Sequence, residues 1–331
     1  MFTESMLRKH PALVRAFTGI PAEEFWDMLE KMEAQLPAYE KRRHTREGRE
    51  RAIGAGRKFD QSLAQRTVAV LSYLRLHIPQ LVIAFMFGLT QCDISRDLRR
   101  LLPLIASVLP CPEIWDIVKD APETEESVTL LLEQLADGRV LVDATEQQVF
   151  RPSKDNKTRK LYYSGKKKAF TVKTQMVTDG EHHIQAISVS VPGAMHDKKL
   201  SDEVQTVERL PDGCEADADK GYQGMTDQVS LITLSNPETG LQQKIPRLTV
   251  CIPFKKLKGK ELTEQQEAFN SQLSAVRVRV EHCIGWVKNW AIIATRFRCS
   301  HSIYTSIMHT VCGLVNEQTR RWQMARLANC A

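Results

Sequence analysis

The sequence contains no long apolar run, no internal repeat and no low-complexity tract. Its longest apolar stretch, Leu81 to Leu89, is far shorter than the roughly 20 residues that cross a bilayer. The first residues also lack the basic segment and apolar core of a secretory signal peptide. These absences argue against a membrane-spanning or secreted protein and predict a soluble intracellular one.

Paired cysteines are missing as well. The 8 cysteines are scattered, and none forms a Cys-x-x-Cys pair or a cysteine–histidine pattern of the zinc-site type. We therefore expect reduced, mostly buried thiols and no structural zinc.

Length and charge leave room for two ordinary domains. A chain of 331 residues is long enough to bury two cores. The 46 basic and 40 acidic residues give a net charge of +6, so the distribution of charge matters more than its total. The basic, glycine-containing segment 39–58 predicts a solvated connector. We expect a helical domain at 1–105, a helical linker at 106–138 with a helix at 128–135, an α/β domain at 139–294 and a helical tail at 295–331.

After residue 138 the pattern changes from helical periodicity to short apolar or alternating runs, which predict strands. Five strands are expected, at 139–145, 169–178, 184–191, 214–219 and 248–253. The turn signal Asp179-Gly180 predicts an antiparallel hairpin between the second and third strands. Helices are expected at 196–209, between the fourth and fifth strands, and at 262–294. This order predicts a ribonuclease H-like α/β domain, with a mixed five-stranded sheet and flanking helices, preceded by an all-α domain.

Residues 79–101 have the pattern of a helix-turn-helix. Ala84 is small where two helices would cross, and Gly88 permits a left-handed turn. Thr90 is placed to cap the second helix, and Ile94 to pack that helix back. An ordinary helical hairpin is the alternative. The outward side chains of the second helix that would reach base edges and phosphates include Gln91, Ser95, Arg96, Arg99 and Arg100.

A basic tract runs from Arg151 to Lys173, with Asp155 as its one acid and with Tyr162 and Tyr163 interleaved. Such a tract attracts a phosphate backbone, and tyrosines stack on exposed bases. A solvated charged loop is the alternative. The residues predicted to contact DNA in this tract are Arg151, Lys166, Lys167, Lys168 and Lys173.

Three acids are the candidate catalytic groups. Asp143 and Asp219 follow apolar runs at predicted strand ends, and Glu281 lies on the helix predicted at 262–294. If the first and fourth strands pair, the two aspartates become neighbours and Glu281 arrives from the helix. Carboxylates without clustered histidines or paired cysteines suit a hard cation such as Mg²⁺. Beside a helix-turn-helix and a basic tract, they indicate metal-dependent chemistry on DNA.

Other acids compete for the same roles. Asp217 would share the strand face of Asp219, and Glu146 would point opposite Asp143 if the strand continues. Asp197 follows a histidine and suits either a ligand or a helix cap. The chemistry of these residues does not separate the candidates.

Each chosen acid also has a purely structural explanation. The two aspartates suit strand-end turns or caps, and Glu281 suits a surface ion pair with Arg277 at i,i+4 spacing.

Several ordered motifs resemble those of bacterial insertion-sequence transposases with a DDE triad. The resemblance is to the group typified by insertion sequence five, which is related to harbinger-type DDE endonucleases, and it runs from about residue 11 to about residue 294. It implies catalysis and metal binding by Asp143, Asp219 and Glu281, and supporting roles for His196 and Asp197. The motifs that carry it are Val142-Asp143-Ala144-Thr145-Glu146, Arg151-Pro152, Tyr163-Ser164-Gly165-Lys166-Lys167-Lys168, Gly193-Ala194-Met195-His196-Asp197-Lys198-Lys199-Leu200, Ala218-Asp219-Lys220-Gly221-Tyr222-Gln223-Gly224, Ile252-Pro253-Phe254-Lys255-Lys256 and Arg279-Val280-Glu281-His282-Cys283-Ile284-Gly285.

The resemblance also implies a function. A DNA transposase would bind the terminal inverted repeats of its element and catalyse metal-dependent strand cleavage and strand transfer. Two Mg²⁺ ions, for which Mn²⁺ substitutes, would be held by the triad, and Lys220, Arg277 and Lys288 would hold phosphates. A homodimer or higher assembly on double-stranded DNA is implied, in the bacterial cytoplasm at the nucleoid. The alternatives are a domesticated transposase that regulates without catalysis and a host DNA endonuclease of related fold.

Overall fold

The computed structural model describes residues 1–45, 52, 58–118, 138–152, 155–235, 242–256 and 258–330. Most of the predicted connector at 39–58 and all of the predicted helix at 128–135 lie outside these ranges. The chain forms two compact units, Met1–Cys111 with Val287–Glu317 and Pro112–Trp286 with Gln318–Ala331. None of the described helices is both long enough and apolar enough to cross a membrane.

The helices in chain order are α1 Glu4–Lys9, α2 Pro11–Thr18, α3 Ala22–His44, α4 Leu63–Leu76, α5 Gln80–Phe87, α6 Gln91–Ala106, α7 Asn156–Tyr162, α8 Asp197–Glu203, α9 Thr206–Arg209, α10 Glu264–Lys288, α11 Ala291–Ala294 and α12 Tyr304–Cys330. The strands are β1 Glu113–Trp115, β2 Arg139–Gln148, β3 Tyr163–Ser164, β4 Ala169–Asp179, β5 Ile184–Ser188, β6 Val191–Pro192, β7 Glu215–Ala218, β8 Leu231–Ser235, β9 Gln242–Pro246 and β10 Thr249–Cys251.

Helix α5 ends and α6 begins as the sequence predicts, but α6 continues to Ala106, beyond the predicted range 79–101. Gly88 ends α5 in the left-handed region with φ 67°. Thr90 forms a capping box with Asp93, because its Oγ1 accepts from the Asp93 N–H and its own N–H donates to the Asp93 carboxylate. Ala84 and Ile94 are buried between the helices. These local predictions are confirmed, while the DNA-reading role of α6 stays a prediction.

The second unit is built on a mixed sheet whose strand order is β1-β5-β4-β2-β7-β10, with β3 and β6 paired to β4. Strands β4 and β5 form the predicted antiparallel hairpin, while β7 pairs in parallel with β2 and with β10. All five predicted strands are therefore present. The sheet is larger than predicted, because β1 extends one edge and two short strands join β4.

Three predicted helical segments differ from the structure, the first being the helix predicted at 196–209, which is divided into α8 and α9. Instead of a helix between the fourth and fifth predicted strands, two 3₁₀ turns precede the antiparallel pair β8–β9, which forms a sheet of its own. The helix predicted at 262–294 ends at Lys288, and a separate turn of helix follows at Ala291–Ala294. The basic tract, predicted as a loop or hairpin, contains helix α7.

The core of this unit covers both faces of the central strands, because successive residues of β4 and β5 are buried, and one apolar cluster lies on a single face. Val140 and Val142 of β2 join Ala216 and Ala218 of β7 in a buried apolar cluster with Leu200 of α8. Because successive side chains of a strand point to opposite faces, β2 presents its intervening residues to the other side of the sheet.

Candidate active site

Asp143 and Asp219 occupy equivalent positions on two neighbouring parallel strands. The last paired residues of β2 and β7 are Val142 and Ala218. Asp143 directly follows the first of these, and Asp219 directly follows the second. The predicted pairing of the first and fourth strands is confirmed. One detail differs, because β2 continues to Gln148 and Asp143 therefore lies within the strand and not at its end.

Arg277 of α10 connects the two aspartates. Its Nη2 lies 3.3 Å from Asp143 Oδ2, and its Nη1 lies 3.3 Å from Asp219 Oδ1. The other oxygen of Asp143, Oδ1, accepts the Ala144 N–H at 2.7 Å. We call Asp143, Asp219 and Arg277 the Arg277 cluster. The structural alternative for Glu281 was a surface ion pair with Arg277. In the structure Arg277 pairs with the two aspartates.

Glu281 lies on the same helix, four residues after Arg277. Four residues are about one helical turn, so both side chains leave α10 on one face. Glu281 is exposed at the surface. Among the residues that the structure describes, the three predicted carboxylates do not form a group whose oxygens all lie within 4.8 Å of one another. The structure thus links Asp143 and Asp219 through Arg277. The third acid, Glu281, lies one helical turn further along α10.

The electrostatics at this site disfavour further negative charge. Burial raises the pKa of Asp143, and the charges of Asp219 and Asp197 raise it further, while the Ala144 N–H and Arg277 act in the opposite direction. Two carboxylates at close range stabilise a cation placed between them.

Tyr222 is a neighbour that the predicted site did not include. It is fully buried, and its hydroxyl has no hydrogen-bond partner within the described residues. Burial raises its pKa well above the ordinary value, and the charges of Asp197, Asp143 and Asp219 add to the effect. The available signal was its place in the Asp219-Lys220-Gly221-Tyr222 motif.

A second charged cluster lies on the opposite face of β2. Lys173 of β4 stands opposite Glu146 in the register, and its Nζ lies 2.6 Å from Asp197 Oδ1 and 3.6 Å from Glu146 Oε1. The same Nζ donates to the Met195 carbonyl at 2.5 Å, and Thr171 Oγ1 donates to Glu146 at 2.8 Å. We call Lys173, Glu146 and Asp197 the Lys173 cluster.

This cluster bears on one predicted DNA contact. Lys173 is buried, and its ammonium group is already held by two carboxylates and a carbonyl. A phosphate would have to displace these partners, which argues against a DNA contact by Lys173, since its ammonium group contacts the residues at the start of α8. Asp197 also abuts the loop after Asp219, since a Cβ on Gly221 would lie 2.6 Å from Asp197 Oδ2. His196 is exposed and forms the N-cap of α8, and the supporting roles of Asp197 and His196 stay predictions.

Comparison with known proteins agrees with this geometry. The family profile described as DDE superfamily endonuclease matches residues 142–316, more than half of the chain, beginning one residue before Asp143. The chain belongs to the DDE superfamily endonuclease family. It is 30% identical over 179 residues to the "Probable transposase for insertion sequence element IS702" of Microchaete diplosiphon.

That match covers 54% of this DDE endonuclease family member and 56% of the relative, so the chain spans little more than half of the relative's length. The predicted resemblance to insertion-sequence DDE transposases is confirmed. No solved structure is significantly similar to the chain.

A further acidic group lies beside the candidate active site of the DDE endonuclease domain. Ligand atoms of Glu215, Asp217 and Cys251 lie within 4.8 Å of one another on β7 and β10. Arg139 partly neutralises the group, with contacts of 2.6 Å to Glu215 and 3.8 Å to Asp217. Burial raises the pKa of Asp217 to about 6. Asp217 is thus a buried member of a separate cluster and lies outside the Arg277 cluster.

The remaining basic residues predicted to contact DNA are mostly at the surface. Six of these basic residues are exposed: Arg151, Lys166, Lys167 and Lys168 of the basic tract, Lys220 after Asp219, and Lys288 at the end of α10. The three consecutive lysines form the turn between β3 and β4. They are therefore accessible to a polyanion from solvent.

On α6 the predicted contacts divide into exposed and held side chains. Gln91, Arg96 and Arg99 are exposed, and Ser95 is half-buried. Arg100 is different, because its side chain has partners within the helical unit. Its Nε lies 2.9 Å from Glu40 Oε1, and its guanidinium stacks over the ring of Phe59. That pairing argues against a DNA contact by Arg100 and favours a packing role.

Proposed function

We propose that this chain is a DNA transposase that binds the terminal inverted repeats of its element and cleaves and joins DNA strands at their ends. The observation that carries the proposal is the Arg277 cluster. Two aspartates on adjacent parallel strands meet a helix that brings Glu281 one turn further along. Membership of the DDE endonuclease family supports the same chemistry.

The residues fit a divalent cation such as Mg²⁺. Asp143 and Asp219 offer only oxygen ligands, they converge on one positively charged group, and both are partly exposed to solvent. Glu281 would complete the ligand set from α10. Such ions, when bound, activate the attacking oxygen and stabilise the leaving oxygen of a phosphodiester.

Basic groups of both units would bind and orient DNA. The exposed turn formed by Lys166, Lys167 and Lys168 would hold backbone phosphates, as would Lys220 and Lys288. Tyr163, which is 46% exposed, adds an aromatic surface beside that turn. These contacts would position the scissile phosphate for in-line attack by water and then by the freed 3′-hydroxyl of the element end.

The helical unit would recognise the repeats. The capped helix α6 presents Gln91, Arg96 and Arg99 at its surface. A cleft of about 390 Å³ beside it is lined by Ser95 and Arg99 and by Arg298 of the same unit. Amide and guanidinium groups on an exposed helix are the types that read base edges and phosphates in the major groove.

A cleavage and strand-transfer assay tests the proposal. DNA carrying the repeats that flank the gene is incubated with Mg²⁺ or Mn²⁺ and with the wild type or Asp219→Ala. Metal-dependent joining that the variant lacks is the expected result. Cleavage without joining of a pre-cleaved end would favour a host endonuclease. Specific end binding without cleavage by either protein would favour a domesticated regulator.

A further inference from the structure

Arg277 occupies the space between the two aspartates that would hold a cation. Its side chain is 10% exposed, and its two Nη atoms lie 3.3 Å from Asp219 and 3.3 Å from Asp143. Its buried Nε has no hydrogen-bond partner among the described residues. The guanidinium therefore divides its two Nη groups between two acids and does not bind one of them bidentately.

This arrangement is a loose one. The strong hydrogen bonds between arginine and a carboxylate measure about 2.7–2.9 Å, often as a bidentate pair. A divalent cation coordinates carboxylate oxygens at about 2.0–2.6 Å with twice the charge. One guanidinium facing two carboxylates also leaves a net negative charge on the cluster. A divalent cation therefore attracts the same oxygens more strongly than Arg277 does.

We propose that Arg277 is the counter-cation of the metal-free site and that a divalent cation displaces it from Asp143, Asp219 or both. The proposal rests on the proposed function in taking these two aspartates as metal ligands. Without metal, the guanidinium offsets the repulsion between the carboxylates and keeps them side by side. Once displaced, its planar fork suits a phosphate oxygen. The predicted phosphate contact of Arg277 then follows metal binding.

A fixed organising role is the competing account of the same contacts. In that account the guanidinium stays in place and holds the aspartates in the geometry that the metal requires. The two roles predict opposite effects when the positive charge is removed. Loss of a competing cation tightens metal binding, whereas loss of a fixed organiser weakens it.

Mn²⁺ binding to the full chain without DNA separates the two roles. Free Mn²⁺ is measured by electron paramagnetic resonance for the wild type, Arg277→Gln and Arg279→Gln. The last is a matched control, because it removes the same charge two residues away on α10. We expect Arg277→Gln to bind Mn²⁺ about tenfold more tightly at low ionic strength, and the control to stay within about twofold of the wild type. Equal or weaker binding by Arg277→Gln overturns the proposal.

Variants of the aspartates distinguish this outcome from a failure of the proposed function. Asp143→Asn and Asp219→Asn should each weaken Mn²⁺ binding at least about tenfold. If both bind Mn²⁺ like the wild type, the metal site itself is wrong, and the role of Arg277 falls with it.

A second arginine variant covers the case in which Arg277→Gln does not fold, as judged by circular dichroism. Arg277→Lys keeps the charge, but its single ammonium group does not span two carboxylates as the guanidinium fork does. Tighter Mn²⁺ binding than in the wild type is expected from it. Equal or weaker binding contradicts the proposal in this variant too.

Discussion

The Arg277 cluster and the Lys173 cluster each place one cation between two carboxylates, on opposite faces of β2. In the Arg277 cluster both contacts measure 3.3 Å, and the carboxylate side chains are 20% and 33% exposed. In the Lys173 cluster the shortest ion contact is 2.6 Å, and the carboxylate side chains are 7% and 17% exposed.

The difference is the one expected between the proposed exchangeable site and a cluster that keeps its cation. The Lys173 ammonium also donates to the Met195 carbonyl, and Glu146 accepts a further hydrogen bond from the Thr171 hydroxyl. These added hydrogen bonds hold the charged groups of the cluster in place. In the Arg277 cluster Asp143 has one added backbone bond, and its arginine leaves Nε unpaired among the described residues. Solvent access and loose contacts suit exchange for a metal, while burial and added hydrogen bonds suit a fixed structural role.

The largest expected effect is on catalysis by the Arg277 cluster. Asp219→Ala should lower the rate of metal-dependent strand cleavage at least about a thousandfold, which corresponds to about 4 kcal/mol of transition-state stabilisation. Binding of element ends should stay within about threefold of the wild type, because recognition of the ends is proposed for α6 and the basic groups, which the substitution leaves in place. Single-turnover cleavage and gel-shift assays measure the two quantities. A variant that loses both equally would contradict the proposed division of labour.

The loss of stability should be larger for a substitution in the Lys173 cluster than for one in the Arg277 cluster. Lys173→Met leaves two carboxylates of low exposure without their buried cation, and the loss of such a partner typically costs about 3–5 kcal/mol. Arg277→Gln should cost about 1 kcal/mol or less, because the carboxylates it leaves unpaired are partly exposed and solvent screens their repulsion. Urea unfolding of the metal-free proteins provides the free energies. Equal destabilisation by the two variants would remove the distinction between the clusters.

A converse arrangement, a basic group buried beside another cation, occurs at His77. Burial lowers the pKa of His77 to about 4, and Arg298 contributes to the shift. Because the folded pKa lies below the unfolded value of about 6.5, the unfolded state binds more protons between these values. Stability should therefore fall as the pH drops from about 6.5 to about 4, by at most about 3 kcal/mol for this group.

His77→Asn tests that dependence. Asparagine tolerates the left-handed backbone at this position, where φ is 48°. Calorimetric melting between pH 4 and pH 7 should show a smaller pH dependence for the variant than for the wild type. Parallel curves for the two proteins would show that the pKa of His77 is the same in the folded and unfolded states.

A smaller effect is expected from packing around the Lys173 cluster. A Cβ on Gly193 would lie 1.8 Å from Thr171 Oγ1 and 2.9 Å from its carbonyl oxygen. Gly193→Ala should therefore destabilise the protein by about 2 kcal/mol, since Thr171 and its bond to Glu146 must shift. Gly165→Ala is the control, because no heavy atom lies within 4 Å of its added Cβ. Similar melting temperatures for both variants would contradict the close packing at Gly193.

The sequence predicts the framework of this site well because the framework depends on local patterns. Apolar runs mark the strands, and strand pairing places Asp143 beside Asp219 without any knowledge of side-chain contacts. The alternation rule also predicts correctly that Glu146 faces away from Asp143. The cap at Thr90 and the turn at Gly88 follow from local backbone chemistry in the same way.

Tertiary partners explain what the sequence does not predict. The lysines of the basic tract look alike in sequence, yet Lys173 lies on a buried strand opposite Glu146 and the Lys166–Lys168 run lies in a turn. Arg100 is held by Glu40, which is far away along the chain. The β8–β9 pair is a separate sheet, and the residues of it whose burial is described are mostly exposed, so hydrophobic periodicity is a weak guide there.

Anomalous diffraction from Mn²⁺-soaked crystals of the full chain tests the central claim most directly. The account predicts a Mn²⁺ peak within about 2.0–2.6 Å of carboxylate oxygens of both Asp143 and Asp219, with the Arg277 guanidinium moved away from at least one of them. Mn²⁺ bound at Glu215, Asp217 and Cys251 instead, or bound with both Arg277 contacts unchanged, would contradict it.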